Sequence, residues 1–346
     1  MMNMRFLKSC LPILIFLVLI ACEPTKDVTT FTDLGRVFVS SNTQTKVGIF
    51  DFSDNENITL VQYETTTTDD ADGIYYDVSR DILYQADREN NRINAYSRLS
   101  TNEANSGILP SAISTSDFSN PRGLTSDNNI AIVAQDAAEE NGMQNGFFMF
   151  DVSAELISLK NQYTVNFPVW DIQLVGNTLY AVHDESDSLA VFNNFLANAD
   201  GDISPDFKIR IEGLSWSHGI YYSLSEDLMV MTSIGNPDPA IQDGEIRIIE
   251  DFSLKLSAAL QQSNKTLPNE EQFIISGANT LLRNPVDVIY HKEADRFIVA
   301  ERATNRGMML SFSLPSQSVK GTFLNLEPVY SSDYAGISGL HINANN

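Results

Sequence analysis

The sequence predicts an all-β fold in which six units of four antiparallel strands each form a closed ring. Short apolar runs at residues 72–78, 82–87 and 92–96 are separated by turn residues, as expected for strands joined by tight turns. The opening of this unit, a small residue or Asp before an aliphatic residue, recurs along the chain. It stands at Gly73-Ile74, Gly123-Leu124, Asp171-Ile172, Gly219-Ile220, Asp287-Val288 and Gly339-Leu340. Successive openings lie 50, 48, 48, 68 and 52 residues apart, and a period near 50 indicates a β-propeller.

The two ends of the chain predict how the ring closes. Residues 37–41, 46–50 and 59–63 match the second, third and fourth strands of a unit, with no first strand before them. The missing first strand stands at the other end of the chain, at residues 339–344. Pairing of this C-terminal strand with the N-terminal strands leaves no open first-to-last edge. We therefore predict a six-bladed β-propeller of four-stranded antiparallel blades over residues 35–346.

The remaining units follow the same order of strands. Their third strands end near an aromatic residue, which we assign to the packing between blades. These residues are Phe50, Tyr96, Phe150, Phe192 and Phe312. The longest unit carries its extra residues between 249 and 284, where residues 254–262 have helical spacing and 271–276 read as the outer strand.

One unit carries a family resemblance. Residues 73–97 contain a strand ending in Ala86-Asp87, an Asn turn and then Arg92-Ile93, and this unit resembles the NHL-type repeat. More broadly, the chain resembles six-bladed propellers of the TolB-like and gluconolactonase-like kind. The resemblance covers residues 35–346, although only the unit at 73–97 matches closely. Because such folds include binding modules and enzymes alike, the resemblance implies a fold rather than an activity.

The first residues predict export and lipidation. Arg5 and Lys8 precede an apolar run at residues 11–20, and Ala21-Cys22 follows directly. This ending resembles the lipobox of bacterial lipoproteins, which implies cleavage before Cys22 and a lipid on its thiol; a plain secretory signal is the alternative. We predict a signal peptide at 1–21, a lipidated Cys and flexible tether at 22–34, and an outer-membrane lipoprotein of a Gram-negative bacterium, facing the periplasm or the cell surface.

Charge and cysteine content limit the partners. The net charge is −23, and cleavage before Cys22 would remove two basic residues and no acidic ones. Such a chain is repelled by nucleic acid and by anionic lipid headgroups, so we expect no nucleic-acid partner and membrane contact only through the lipid. Since the only cysteines are Cys10 and Cys22, the mature protein is expected to have no disulfide.

Loop lengths distinguish the two faces of the predicted ring. The turns from first to second strands are short, whereas residues 137–145 and 234–244, between second and third strands, are longer and less regular. Longer loops on one face, here called the upper face, favour that face as the functional surface. The alternative is that these loops are neutral insertions.

The same geometry predicts which side chains meet at the upper end of the central channel. Directly before each first strand stand Asp72, Arg122, Trp170, His218, Val286 and Ser338, followed by Asp171 and Asp287 where other units have Gly. The ends of the second strands add Asn42, Asp87, Asp136, His183, Asp184, Glu301 and Arg302. We select eight of these as candidate ligand-binding residues: Asp72, Arg122, Trp170, Asp171, His183, His218, Asp287 and Glu301.

Each candidate also has a structural interpretation. Asp87 and Asp184 are placed to cap the following turn, and Asp171 and Asp287 to bond neighbouring strand ends. His218 is compatible with a simple channel-lining role, and Arg122 with a counter-ion role toward Asp72 or Asp171.

The sequence favours a binding protein over an enzyme. The gluconolactonase-like resemblance implies one divalent cation, and Asp72, Asp171, Asp287, His183 and His218 offer suitable donor atoms. However, no contiguous metal motif is present, and Arg36 stands where the resemblance implies a Glu. We therefore expect no catalytic residues and no cofactor. The predicted function is a lipid-anchored binding or scaffold protein for a small polar ligand, a glycan or a partner protein, with a Ca²⁺-dependent lactonase as the alternative.

Overall fold

The computed structural model describes residues 35–54, 57–238 and 240–343. It contains six sheets arranged around a central channel, so the predicted six-bladed propeller is confirmed. The predictions for residues 1–34, including lipidation of Cys22, lie outside the described residues. Within the described part, no helix is long and apolar enough to cross a membrane.

Each blade begins with an inner strand on the channel and continues outward. Blade 1 contains β1 (Arg36–Ser41), β2 (Lys46–Asp51), β3 (Thr59–Glu64) and, as its inner strand, β27 (Ile337–Ile342). Blade 2 contains β4 (Ala71–Asp77), β5 (Ile82–Asp87), β6 (Arg92–Ser97) and β7 (Ala112–Ile113). Blade 3 contains β8 (Pro121–Asp127), β9 (Ile130–Gln135), β10 (Asn145–Val152) and β11 (Ile157–Val165).

The other three blades follow the same plan. Blade 4 contains β12 (Val169–Val175), β13 (Thr178–His183), β14 (Ser188–Phe192) and β16 (Phe207–Ile211). Blade 5 contains β17 (Ser217–Ser223), β18 (Leu228–Ser233), β19 (Glu245–Ile249) and β21 (Phe273–Ser276). Blade 6 contains β22 (Pro285–His291), β23 (Arg296–Glu301), β24 (Met308–Phe312) and β26 (Tyr330–Asp333). The helix predicted in the longest unit is α1 (Phe252–Leu260), and five 3-10 turns occupy Leu99–Thr101, Glu139–Asn141, Phe195–Ala197, Asn269–Glu271 and Thr304–Arg306.

Three blades have a fifth strand that the sequence pattern did not predict. The short strands β15 (Gly201–Asp202), β20 (Thr266–Leu267) and β25 (Phe323–Leu324) pair in parallel with β11, β16 and β21. Each of them lies in the connection between the third and fourth strands of one blade and pairs with the outermost strand of the blade before it. Pairing of two residues is too short to leave a periodic signal in the sequence, but it covers outer edges that would otherwise be open.

The ring closes as predicted. The last strand, β27, pairs antiparallel with β1, so that His341 lies opposite Phe38 and Leu340 opposite Val39. At the lower face the backbone N–H of Gly35 donates to the carbonyl of Asn343 at 3.1 Å. The described chain therefore starts and ends on the same face, opposite the mouth of the channel where β27 begins.

The lower turns are tight because each places one residue in the left-handed region, where Gly, Asn and Asp are tolerated. The residues with positive φ in these turns are Asp81 (53°), Asn128 (50°), Gly176 (60°), Asp227 (50°) and Asp295 (49°). The core lies between blades, and the five aromatic residues assigned to it are buried there. These features hold the inner strands rigidly around the channel.

Candidate ligand site at the mouth of the channel

A bulge near the start of each inner strand positions the side chains at the upper mouth. In blade 2 the register between β4 and β5 shifts between Ala71 and Ile74, and the other blades show a shift at the equivalent place. A bulge kinks the strand locally and re-aims a side chain. The residues at these positions, which we call the mouth ring, are Asp72, Arg122, Trp170, His218, Val286 and Ser338.

A second set of side chains surrounds the mouth ring. The residue directly after each second strand donates its backbone N–H to a carbonyl two residues before the mouth-ring position, as Arg88 does to Asp70 at 2.8 Å. The same bond fixes Arg302 to Asn284 at 3.0 Å and Asp184 to Pro168 at 3.0 Å. We call this set the collar; its members are Asn42, Arg88, Asp136, Asp184, Ile234 and Arg302.

The guanidinium of Arg122 connects blades 2, 3 and 4. Its Nη1 lies 3.3 Å from Asp72 of blade 2, and its Nη2 lies 3.2 Å from Asp136 of its own blade. Its Cζ lies 4.0 Å from the ring centroid of Trp170 in blade 4, within the range of a cation–π contact. Arg122 is therefore the counter-ion of Asp72, one of the two partners the sequence allowed, and not of Asp171.

The row continues from Trp170 to His218 of blade 5. The two rings are stacked, with centroids 3.8 Å apart and planes inclined by 1°. His218 is buried, its Nε2 lies 3.4 Å from Asp184, and its Nδ1 has no hydrogen-bond partner among the described residues. Burial lowers the pKa of His218, against the opposing effect of Asp184, so the ring is neutral at neutral pH. Arg122, Trp170 and His218 form a continuous row of contacting side chains, which we call the mouth arc.

The opposite side of the mouth is occupied by two arginines of the collar. Arg88 lies 3.1 Å from Asp70 and 4.0 Å from Asp72. Arg302 is half-buried, and its partner is the amide of Asn42. With that amide oriented so that both its polar atoms are satisfied, its oxygen accepts from Nη2 of Arg302 at 2.7 Å and from Nε at 3.0 Å. Within the described ranges, no carboxylate lies within 4.0 Å of Arg302.

Asp171 and Asp287 lie one residue further down the channel and bridge adjacent inner strands. Asp171 accepts from the N–H of Ile220 at 3.2 Å, and Asp287 accepts from the N–H of Leu340 at 2.6 Å. Both thus take the structural role that the sequence offered as an alternative. They line a channel cavity of about 110 Å³, large enough for a few waters or one small group.

Burial and mutual repulsion make these two carboxyls weak acids. Burial raises the pKa of Asp171 to about 7. It also raises the pKa of Asp287 well above its usual range, with the charge of Asp171 as the next contribution. Each carboxyl is therefore ionised less readily in the folded protein than in the unfolded chain.

This pair predicts a loss of stability on the alkaline side of neutrality. A raised carboxyl pKa contributes stability at low pH that is lost as pH rises through the folded value. From pH 6.5 to 8.5 the contribution of this pair to the free energy of unfolding is expected to fall by about 1–2 kcal/mol, since one pKa unit is worth 1.36 kcal/mol. The four histidines act in the opposite direction at the acidic end of this range, because their pKa values are lowered in the folded protein while the unfolded chain still releases protons from them near pH 6.5. Urea unfolding measured across this range should therefore show a less negative slope of the free energy against pH for Asp171→Asn than for the unmodified protein; an identical slope would contradict the assignment.

The structure places two of the predicted site residues away from the mouth. His183 lies against Phe167, with ring centroids 4.9 Å apart, and its Nδ1 is 3.5 Å from Nζ of Lys208. Burial lowers the pKa of His183 to about 4. Glu301 is fully buried, and its carboxylate accepts backbone N–H groups of the surrounding loops. Alternate residues of a strand face opposite sides, so these strand-end residues point away while the next residue reaches the mouth.

Sequence reasoning left Arg88 out of the candidates and named Arg302 without selecting it. The sequence did contain a signal for them, because Arg88 and Arg302 each follow the second strand of their unit directly and so occupy the same repeat position as Asp136 and Asp184. The structure brings these two arginines together with Asp72 and Arg122, so the mouth holds three guanidinium groups in a strongly acidic protein.

Comparison with known proteins supports the fold. No protein-family model matches the sequence, and no curated protein matches it. Among solved structures, a chain of a nidogen–laminin complex is 9% identical, with a TM-score of 0.57 over 89% of this chain and 97% of that chain. The chain is a six-bladed β-propeller.

Two further structures belong to proteins with a provisional enzyme assignment, 6-phosphogluconolactonase. The protein from Bacteroides fragilis is 11% identical, with a TM-score of 0.57 over 91% of this chain and 99% of that one. The protein from Bacteroides uniformis is 9% identical, with a TM-score of 0.57 over 89% of this chain and 99% of that one. At such identities the likeness concerns the fold, and function has to be argued from the site.

Proposed function

We propose that this protein is a lipid-anchored binding protein of the cell envelope, with its docking site at the upper mouth of the channel. The observation that carries the proposal is the mouth arc. Arg122, Trp170 and His218, from three adjacent blades, lie in a row in which Arg122 makes a cation–π contact with Trp170 and Trp170 stacks on His218, with carboxylates at both ends. Preorganised aromatic and charged groups at a concave opening are typical of binding sites for polar ligands.

The path of the chain supports an outward-facing mouth. The first described strand, β1, starts on the lower face, where Gly35 bonds Asn343. If Cys22 carries a lipid, the 13 residues from Cys22 to Gly35 connect the membrane to this lower face. Fully extended, they span at most about 45 Å. The mouth then points away from the membrane and is accessible to soluble ligands and partners.

The upper loops add room beside the mouth. The loop that contains the 3-10 turn Glu139–Asn141 is fixed to the collar, because Nδ2 of Asn141 donates to the carbonyl of Asp136 at 2.8 Å. It borders a cavity of about 560 Å³ between blades 2 and 3, also lined by Asn91 and Gln162. The upper face therefore offers a polar surface larger than the channel opening itself.

A lactonase remains the second candidate, favoured by the provisional names of the two Bacteroides proteins. The mouth residues do not fit the divalent cation that the gluconolactonase-like resemblance implies. Asp72 already pairs with Arg122, and Asp171 and Asp287 already accept backbone N–H groups. In the described part of the chain, no group of three or more His, Cys, Asp and Glu side chains is arranged to hold a metal ion.

Replacing Trp170 with Ala tests the docking site. A panel of neutral sugars, amino acids and small organic acids is added to the full-length protein, and its melting temperature is recorded. A compound that binds at the mouth is expected to raise the melting temperature, since a ligand that binds only the folded state stabilises it by mass action. Trp170→Ala is expected to weaken binding of that compound about tenfold or more, because it removes the centre of the mouth arc.

The matched control is Phe323→Ala, which removes an exposed aromatic ring from the outer strand β25, far from the mouth. This variant should bind as the unmodified protein does. Equal binding by Trp170→Ala would place the docking site elsewhere. Hydrolysis of lactones that depends on added Ca²⁺ would contradict the binding-protein proposal and support the second candidate.

A further inference from the structure

The arginines of the mouth differ in whether a carboxylate lies next to their positive charge. Arg122 is held between Asp72 and Asp136, and Arg88 lies against Asp70. Arg302 is half-buried at the same opening, yet its partner is the neutral amide of Asn42. A partly desolvated cation without an anionic partner is costly to fold, and such costs are retained mainly at functional positions.

Like charges increase that cost. Burial lowers the pKa of Arg302, and the nearby positive charges of Arg88 and Arg122 act in the same direction, against Asp72 and Asp70. The charged form of Arg302 is therefore disfavoured by its folded surroundings. An added negative charge at this place would be attracted by Arg302, Arg88 and Arg122 and repelled by Asp70 and Asp72, and Arg302 is the one of the three guanidinium groups that it would compensate directly.

The hydrogen bonds of Arg302 leave its outer edge available. Asn42 accepts from Nε and Nη2, which form one edge of the planar guanidinium. The edge formed by Nη1 and Nη2 remains, and this pair of donors matches the two oxygens of a carboxylate or phosphate. Asn42 in turn donates to the carbonyl of Gly336 at 3.0 Å, which holds the guanidinium in place.

The mouth ring is also incomplete beside Arg302. On blades 2 to 5 it carries the large or charged side chains Asp72, Arg122, Trp170 and His218, which contact one another. On blades 6 and 1 it carries Val286 and Ser338, both small. These two residues line the channel cavity of about 110 Å³, as Asp72 and Trp170 do from the other blades, so the cavity lies directly below the mouth ring.

We propose that Arg302, oriented by Asn42 and assisted by Arg88, binds the oxyanion group of a small soluble acid at the mouth of the channel. This inference rests on the proposed docking site and names the chemistry of its ligand. A carboxylate and a phosphate share this chemistry, and the test separates them. The small volume of the channel cavity, about 110 Å³, favours an acid whose charged group alone enters the channel.

The experiment titrates the full-length protein with succinate, citrate and inorganic phosphate, with succinamide as the uncharged control. Binding is followed by the fluorescence of the two tryptophans, Trp170 and Trp216, and by melting temperature against NaCl of equal ionic strength. At least one acid is expected to bind, and succinamide is not. Arg302→Gln should weaken that binding by about 10- to 100-fold, the loss expected for a bidentate charged hydrogen bond. Arg302→Lys keeps the charge but not the paired donors, so its affinity for the acid should lie between those of the unmodified protein and of Arg302→Gln.

A second readout needs no ligand. Without added acid, Arg302→Gln should melt about 1–3 °C higher than the unmodified protein, because it removes an uncompensated charge. The matched control is Arg296→Gln, at the opposite end of the same strand β23, which should change neither readout. Failure of all three acids to bind, or a lower melting temperature for Arg302→Gln without acid, would overturn the inference.

The variants also separate this inference from the proposed function. If an uncharged compound binds, and Trp170→Ala abolishes its binding while Arg302→Gln does not, the mouth is the docking site but its ligand is not an acid. If an acid binds equally to both variants, the mouth is not the docking site, and both proposals fail. Preference for phosphate over the two carboxylates, or the reverse, identifies the source of the oxyanion.

Discussion

Replacing Glu301 with Ala is expected to lower the free energy of unfolding by about 3–5 kcal/mol, because several partly buried hydrogen bonds depend on this one carboxylate. Glu301 is fully buried at the end of β23. Its oxygens accept from the backbone N–H groups of Arg283 at 2.9 Å, Asn284 at 2.9 Å, Ala303 at 2.9 Å and Thr304 at 3.1 Å. Alanine would leave these four donors, which belong to half-buried residues, without their acceptor.

Chemical denaturation of the full-length protein measures this effect. Glu301→Gln should give a smaller loss, since one oxygen of the amide still accepts but its nitrogen faces other donors. Glu327→Ala is the control, because Glu327 is exposed in a connection of the same blade. A loss below about 1 kcal/mol for Glu301→Ala would show that water replaces the carboxylate. Glu301 would then not be the structural anchor of the loops beside Arg302.

Replacing Gly73 with Ala is expected to cost about 2–3 kcal/mol, through overpacking of the channel wall. A Cβ at this position would lie 2.6 Å from the carbonyl oxygen of Arg122, and it would also overlap the backbone nitrogen of Leu124. Both atoms belong to the inner strand β8 of the next blade, which cannot move without shifting the mouth ring. The same crowding recurs at Gly219, where a Cβ would lie 2.6 Å from Cα of Asp287.

Gly107→Ala provides the matched control for this prediction. Gly107 is exposed, and the nearest atom to an added Cβ is the carbonyl oxygen of Glu64 at 3.9 Å. Its free energy of unfolding should change by less than about 0.5 kcal/mol. If Gly73→Ala proved as mild as this control, the inner strands would be more loosely packed than the structure shows, and the mouth ring would not be a rigid unit.

The repeat predicted most of the fold because a blade is a local unit. The strands, their tight lower turns and the closing strand follow from alternating apolar residues, turn formers and a period near 50. The closing strand, predicted at residues 339–344, lies at Ile337–Ile342. The fifth strands β15, β20 and β25 could not be predicted in this way. Their pairing of two residues depends on where a connection from the next blade passes in space.

The candidate site was predictable only in part. Asp72, Arg122, Trp170 and His218 were found because they occupy one repeat position with differing chemistry, and the structure brings them into contact. His183 and Glu301 were selected at strand ends, where a shift of one residue reverses the side on which a side chain lies. Arg88 and Arg302 follow such strand ends, and the bulges that direct side chains to the mouth have no sequence signature here.

The sequence by itself determined the number of blades, their order and the closure of the ring, because each depends on local strand and turn preferences repeated along the chain. Only the tertiary structure decided which charges compensate one another at the mouth. Asp72 and Asp136 both pair with Arg122, while the partner of Arg302 among the described residues is the amide of Asn42. Such pairing depends on distances of a few ångströms between side chains whose blades are about 50 residues apart in sequence. Those distances are set by the packing of the blades alone.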